Sequence, residues 1–260
     1  MIGAIFGDIV GSVYEFDNIR TKDFLMFGEG CEFTDDTVMT VAVADALLHF
    51  EKIDDTKSFK NVLIDTFHEY GARYPHAGYG CHFGFWLHER DREPYGSYGN
   101  GSAMRVSPVA HYASSLEEAI ALARATAEIT HNHEEGIKGA VVTAGAVYLA
   151  KSGASMEKIR EFVSKYYVMD FTLDEIRPIY YFNETCQETV PQAMQAFFES
   201  SSFEDAIRNG ISIGGDSDTL CAITGAVAEC YYGMSESERE KALSYLDEPM
   251  KKVISRFLNR

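Results

Sequence analysis

Along most of the chain, apolar residues return at intervals of three and four, the period of a helix with one buried face. "DTVMTVAVADALLHFEK" predicts a helix from about Asp36 to Lys52. "SLEEAIALARATAEIT" puts Ser115 at an N-cap with Glu118 three residues on, a capping-box signature. "EEGIKGAVVTAGAVYLAKSG" predicts a helix that stops at Gly153. "TCQETVPQAMQAFFES", "SFEDAIRNGI" and "DTLCAITGAVAECYYG" read as helices too. Sustained alternation with hairpin turns, the mark of strands, is missing. The pattern predicts an all-α fold, a compact helical bundle forming one domain over residues 1–260.

Two of these helices are rich in Ala and Gly and nearly free of charge. Helices apolar all round belong in the middle of a bundle. The opening segment carries Gly3, Gly7 and Gly11 at i, i+4 and i+8, a smooth stripe that lets another helix approach closely. The stretch from about Gly71 to Pro108 breaks the pattern and is rich in Gly, aromatics and His. A long irregular region in a compact domain is usually functional.

The chemistry concentrates at two helix entrances. "FTDDTVMT" sets Thr34, Asp35 and Asp36 before one apolar run, and "GGDSDT" sets Asp216, Asp218 and Thr219 before another. Asp216 and Asp218 would lie roughly 200° apart on a helix, so they converge only in the turn entering it. There they face free backbone N–H groups and the positive end of the helix dipole. A cap uses one side-chain oxygen, not two carboxylates. The clusters are either two ordinary N-caps that never meet or two halves of one site. If they meet, like charges ~4 Å apart cost roughly 4 kcal/mol per pair at an effective dielectric of 20. Only cations or protons relieve that. Two divalent ions would neutralise four carboxylates, and oxygen ligands suit Mg²⁺ or Mn²⁺ over zinc.

Composition narrows the partners. The chain has 260 residues, 46% of them hydrophobic and 24% charged, and a net charge of −17. So acidic a chain repels nucleic acid and anionic membrane surfaces. Five cysteines with no C-x-x-C pair argue against a disulfide framework or a thiolate zinc site. The opening residues lack the basic start of a signal peptide, and "GAVVTAGAVYLA" is too short to span a bilayer. The expected location is cytoplasmic.

"GAIFGDIVGSVYEF", "FTDDT", "GSYGNGSAMRVSP", "THNHEEGIKGA", "TVPQAMQAF" and "IGGDSDT" occur in this order over nearly the whole chain. Together they resemble the ADP-ribosylglycohydrolase family, which includes the dinitrogenase reductase-activating glycohydrolases. The resemblance implies an all-α domain with a dinuclear Mg²⁺ or Mn²⁺ site. Its ligands would be Thr34, Asp35, Asp36, Asp216, Asp218 and Thr219. It implies that Glu15, on a loop that is mobile in relatives, reaches the metals and takes part in catalysis with Asp35 and Asp36. The implied reaction cleaves the bond between ADP-ribose and an acceptor on a protein or small molecule.

The "GSYGNG" loop could offer backbone N–H groups to a diphosphate. The resemblance makes Gly96, Ser97, Tyr98 and Asn100 substrate contacts, with His131 near the ribose. This form of the loop looks like the branch acting on O-linked acceptors, serine or acetyl, ahead of arginine. His133 reads as structural, and Arg105 as a partner for one of the many acidic residues. Trp86, Phe83 and Phe85 read as core before adenine stackers. Two other readings remain. One is a non-catalytic ADP-ribose-binding or crystallin-like structural member of the fold, which need not keep Glu15 and all six ligands. The other is a metal-free glycosidase using Glu15 and one Asp, which has no need of the threonines.

Overall fold

A computed structural model describes residues 1–50, 56–89 and 92–260. The helices are α1 (Ile2–Gly11), α2 (Asp35–His49), α3 (Thr56–Arg73), α4 (Cys81–His88), α5 (Gly101–Met104), α6 (Ser107–Tyr112), α7 (Leu116–Glu128), α8 (Glu134–Lys151), α9 (Met156–Val163), α10 (Leu173–Ile176), α11 (Cys186–Phe198), α12 (Phe203–Ser212), α13 (Ser217–Tyr232), α14 (Glu236–Ser244) and α15 (Glu248–Leu258). Extended pairing among the described residues is confined to one isolated bridge, Gly99 with Thr185. No described helix is long and apolar enough to cross a membrane.

The boundaries follow capping chemistry. Thr34 caps α2, so that helix begins one residue earlier than its apolar pattern suggested, and it ends at His49; Lys52 lies outside the described residues. Ser115 caps α7 by accepting from the Glu118 N–H. The return half of the expected box is displaced by one residue. The Glu118 carboxylate takes the N–H and hydroxyl of Ser114 instead. The helix expected to stop at Gly153 ends at Lys151, with Gly153 just beyond at φ +77°. The stretch from Gly71 to Pro108 is less irregular than its composition suggested. It holds the end of α3, all of α4 and α5 and the start of α6. In α4, Phe83, Trp86 and Leu87 stand at i, i+3 and i+4 and are all buried. Phe85 points outward, 68% exposed.

At the centre lie α1, α8 and α13. Every residue of α1 is buried, as is α13 from Ser217 to Ala228. Helix α13 packs against α1, α8, α11 and α12. The glycine stripe of α1 makes the closest of these contacts. A Cβ on Gly7 would lie 2.0 Å from the Cys221 carbonyl oxygen, and one on Gly3 would lie 2.2 Å from that of Gly225. On Gly11 it would meet the Asp218 Cα at 2.5 Å. The two backbones touch directly, which fixes Asp8 on α1 against the entrance of α13.

Gly7→Ala should therefore cost at least about 1–3 kcal/mol, because backbone rather than a flexible side chain must yield. Gly84→Ala in α4, where the new Cβ meets only the Tyr79 Cβ at 3.9 Å, should be neutral or stabilising by up to about 1 kcal/mol. Denaturant unfolding of the two variants checks the contrast. Equal stability would remove the close helix approach.

Candidate metal centre

Four segments deliver carboxylates to one point. Helix α1 carries Asp8, and the 3₁₀ turn Ser12–Tyr14 after it leads to Glu15. The first turn of α2 carries Asp35 and Asp36; the N-cap and first turn of α13 carry Asp216 and Asp218. One ligand oxygen each from Asp8, Asp36 and Asp218 lies within 4.8 Å of the others. The same holds for Glu15, Asp216 and Asp218. Asp218 belongs to both groups. The two Thr/Asp clusters are therefore not separate caps. The Thr219 hydroxyl links them directly by donating to Asp36 Oδ2 at 3.2 Å. Asp35, half-buried on the cavity wall, stands outside both groups.

Hydrogen bonds aim these side chains. Asp8 Oδ2 accepts from the N–H groups of Thr34 and Thr37, both at 3.0 Å, and Oδ1 from the Thr34 hydroxyl at 2.7 Å. Asp8 thus caps α2 from another helix. Asn100 donates to Asp216 Oδ2 at 2.6 Å and to Thr189 Oγ1 at 3.2 Å. Asn18 donates to the carbonyls of Tyr14, Glu15 and Gly215, and accepts from the Gly215 N–H. It ties the backbone bearing Glu15 to the loop bearing Asp216. Gly214 and Gly215 hold that loop at φ +70° and +80°. Arg20 donates to the carbonyls of Arg177, Tyr180 and Ile213, and Lys22 pairs with Asp205. Neither cation serves Glu15.

Glu15, Asp35, Asp36, Asp216 and Asp218, though not Asp8, line a cavity of about 600 Å³, shared with Ser97, Asn100, Arg105 and His131. A second cavity of about 470 Å³ adjoins it, and Glu15, Phe16 and Gly78 line both. The remaining loop residues are placed differently. Gly96 and Tyr98 are absent from the wall, and Tyr98 is 47% exposed with its ring beside that of His133. Four of the six loop N–H groups are already engaged. Gly96 donates to Asn132 Oδ1, Ser97 to the Thr130 carbonyl, Gly99 to Ser97 Oγ and Asn100 to the Glu184 carbonyl. His133 caps α8 through Nδ1, a structural role. Arg105 does not pair with an acidic residue among the described residues. It is fully buried over the rings of Phe67 and Phe83, with Nη2 donating to Thr126 and Thr130.

A family model described as ADP-ribosylglycohydrolase matches residues 1–252. The chain belongs to the ADP-ribosylglycohydrolase family. It is 28% identical to ADP-ribosylhydrolase ARH3 of Mus musculus, over 91% of this chain and 83% of that protein. It is 25% identical to ADP-ribosylarginine hydrolase Tri1 of Pseudomonas putida (strain GB-1), over 90% of this chain and 70% of that one. Among solved structures, one titled ADP-ribosylglycohydrolase-related protein complex superposes with a TM-score of 0.69. It covers 99% of this chain and 96% of that chain at 21% identity, and so speaks for the fold.

For an ADP-ribosylglycohydrolase the electrostatics of this centre are decisive. Burial, then mutual repulsion, pushes the carboxylates up. Asp35, Asp36 and Asp218 rise well above the usual range. Burial takes Asp8 and Asp216 to about 6. Glu15 reaches about 8 through burial and the charges of Asp218, Glu184 and Asp8. Asp36 Oδ1 is buried with no hydrogen-bond partner among the described residues. An orphaned carboxylate oxygen inside an all-oxygen donor set fits a hard divalent cation.

Asp8 could not be found from spacing, because it has no acidic neighbour. Its one signal was a lone charge in the apolar run "IGAIFGDIVG", since Asp is almost never fully buried without partners.

The sign of the pH effect follows. Carboxylates raised on folding favour the fold when protonated, and that contribution is lost as pH rises from about 4 through the folded values of about 6 to 8. Chelator-treated protein should lose thermal stability steadily over that range. Mg²⁺ or Mn²⁺ should restore it, most strongly near pH 8. Asp218→Asn should stabilise the chelated form near pH 8 and abolish the metal-induced rise. Melting curves with and without metal test this; a flat, metal-insensitive profile would sink it.

Proposed function

We propose that the protein is a metal-dependent ADP-ribosyl hydrolase, a single domain that cleaves the bond between the anomeric carbon of ADP-ribose and an acceptor. The observation that carries this reading is the pair of carboxylate groups sharing Asp218 at the larger cavity, with Glu15, a member of one group, lining both cavities. Two Mg²⁺ or Mn²⁺ ions would be held by Thr34, Asp35, Asp36, Asp216, Asp218 and Thr219. They would supply charge neutralisation and Lewis acidity toward the ribose hydroxyls and the scissile bond. Asp8 stands behind them and orients Thr34. Thr219 orients Asp36, and Asn100 fixes Asp216.

Glu15 is the general base. It is half-buried, bounds both cavities, and has no basic partner in Arg20 or Lys22. ADP-ribose occupies the larger cavity, with His131, Ser97 and Asn100 beside it and Gly96 and Tyr98 contributing from the loop rim. The acceptor lies beyond Glu15 in the smaller cavity. As the bond from the anomeric carbon to the acceptor breaks, water attacks the oxocarbenium-like centre at the boundary; Glu15 takes the water's proton and passes it to the departing acceptor. O-linked acceptors, serine or acetyl, are favoured over arginine, on the form of the "GSYGNG" loop. Five unpaired cysteines suit a cytoplasmic location.

A release assay across arginine-, serine- and acetyl-linked ADP-ribose tests the reading. Release should need Mg²⁺ or Mn²⁺ and stop with excess chelator. Tight ADP-ribose binding without release from any substrate would favour the non-catalytic alternative. Full activity after chelation would favour a metal-free glycosidase.

Glu15→Gln should lower turnover by about 10² to 10⁴ while disturbing ADP-ribose affinity far less. Wild-type turnover in that variant, or loss traced wholly to failed binding, would move the base to Asp35 or Asp36.

A further inference from the structure

Thr130 and His131 lie in the turn between α7 and α8, and both are buried. Arg105 Nη2 donates to Thr130 Oγ1 at 2.7 Å. A guanidinium has no acceptor, so the threonine oxygen must receive that bond. Its single hydrogen is left to give. His131 Nδ1 lies 2.8 Å from the same oxygen, and no other acceptor for the hydroxyl occurs among the described residues. The hydroxyl therefore donates to Nδ1, and a neutral ring must carry its own hydrogen on Nε2. Burial and the nearby Arg105 charge keep the ring neutral.

Nε2 sits over two glycines. A Cβ on Gly101 would come within 3.1 Å of it and one on Gly99 within 3.5 Å. It has no hydrogen-bond partner among the described residues, and His131 lines the main cavity.

We infer that Thr130 is a positioning residue that holds His131 in the Nε2–H tautomer, a neutral donor aimed into the main cavity at an acceptor oxygen of the ligand. The identity of the ligand rests on the function proposed above; the tautomer does not. The arrangement parallels metal-site histidines, whose orientation is set by the bond at the other ring nitrogen. Here the setting group is a hydroxyl polarised by a buried cation.

The test uses the full chain labelled with ¹⁵N, and imidazole ¹H–¹⁵N spectra without ligand. The His131 signals are assigned by their loss in His131→Gln. The wild type should show a bare Nδ1 and a protonated Nε2. Thr130→Val should mix or invert the tautomers and weaken ADP-ribose binding about tenfold or more. Thr130→Ser, which keeps the hydroxyl, should retain the wild-type spectrum and stay within about twofold in affinity. The Ser variant and the wild-type spectrum decide the matter even if Thr130→Val folds poorly. A protonated Nδ1 in the wild type overturns the proposal. So does a Thr130→Val protein with an unchanged spectrum, or one with a changed spectrum and unchanged affinity. An Nε2–H wild type that binds no ADP-ribose overturns the ligand while the tautomer stands, so the two failures are distinguishable.

Discussion

The direct backbone contact between α1 and α13 is the constraint on which the centre depends. Three glycines on one helix and Gly225 on the other bring backbone against backbone, and a Cβ on Gly225 would lie 2.1 Å from the Gly3 carbonyl oxygen. Such an approach costs conformational entropy in the unfolded chain and leaves no side chains to pack. It is favourable here because α1 throughout and α13 from Ser217 to Ala228 are buried and, their acidic residues apart, mostly apolar. Its consequence is positional. Gly11 lies against Asp218, so Asp8, one turn earlier on α1, faces the entrance of α13, while Glu15 follows within four residues. Widening the gap by the thickness of a methyl group would move two carboxylates away from two others.

That constraint sets charge against burial. Asp8, Asp36, Asp216 and Asp218 are nearly inaccessible to water, and each raises the proton affinity of its neighbours. The N-terminal dipoles of α2 and α13 offset part of the repulsion, as do the N–H groups given to Asp8. They do not offset all of it, since every one of these groups remains shifted upward. Without a cation, that residual repulsion is a local penalty that the apolar core must offset. Binding a cation would turn that local penalty into affinity, because repulsion already present in the folded chain is what the ion relieves.

Much of this was legible in the sequence, for physical reasons that also mark where legibility ended. Helical periodicity and caps are local, so α2, α7, α8, α11, α12 and α13 could be read directly. The glycine stripe announced a close approach but not its partner. The clusters at Thr34–Asp36 and Asp216–Thr219 announced carboxylates at helix entrances, but their meeting depends on how α1, α2 and α13 pack. Asp8 escaped because one acidic residue in an apolar helix carries no spacing signal. Arg105 was expected to find a carboxylate. Instead it lies against the rings of Phe67 and Phe83 and donates to the Thr130 hydroxyl. Asn100, a candidate substrate contact, has both its hydrogen bonds inside the protein, one of them to Asp216.

The "GSYGNG" loop shows how one composition can serve two physical ends. Three glycines in six residues suggested free N–H groups for a diphosphate. In the folded chain those of Gly96, Ser97, Gly99 and Asn100 bind protein acceptors. The glycines instead permit close approach. Gly99 and Gly101 leave room for the His131 ring, and Gly136 does the same from α8, where a Cβ would lie 2.6 Å from the Ser97 carbonyl. The part of the cavity wall formed by Ser97, Asn100 and His131 is thereby built from side chains on a tightly packed backbone. A loop of larger residues could carry the same hydrogen bonds along its main chain. It could not bring His131 to the cavity surface, so the glycines are required by space before they are required by chemistry.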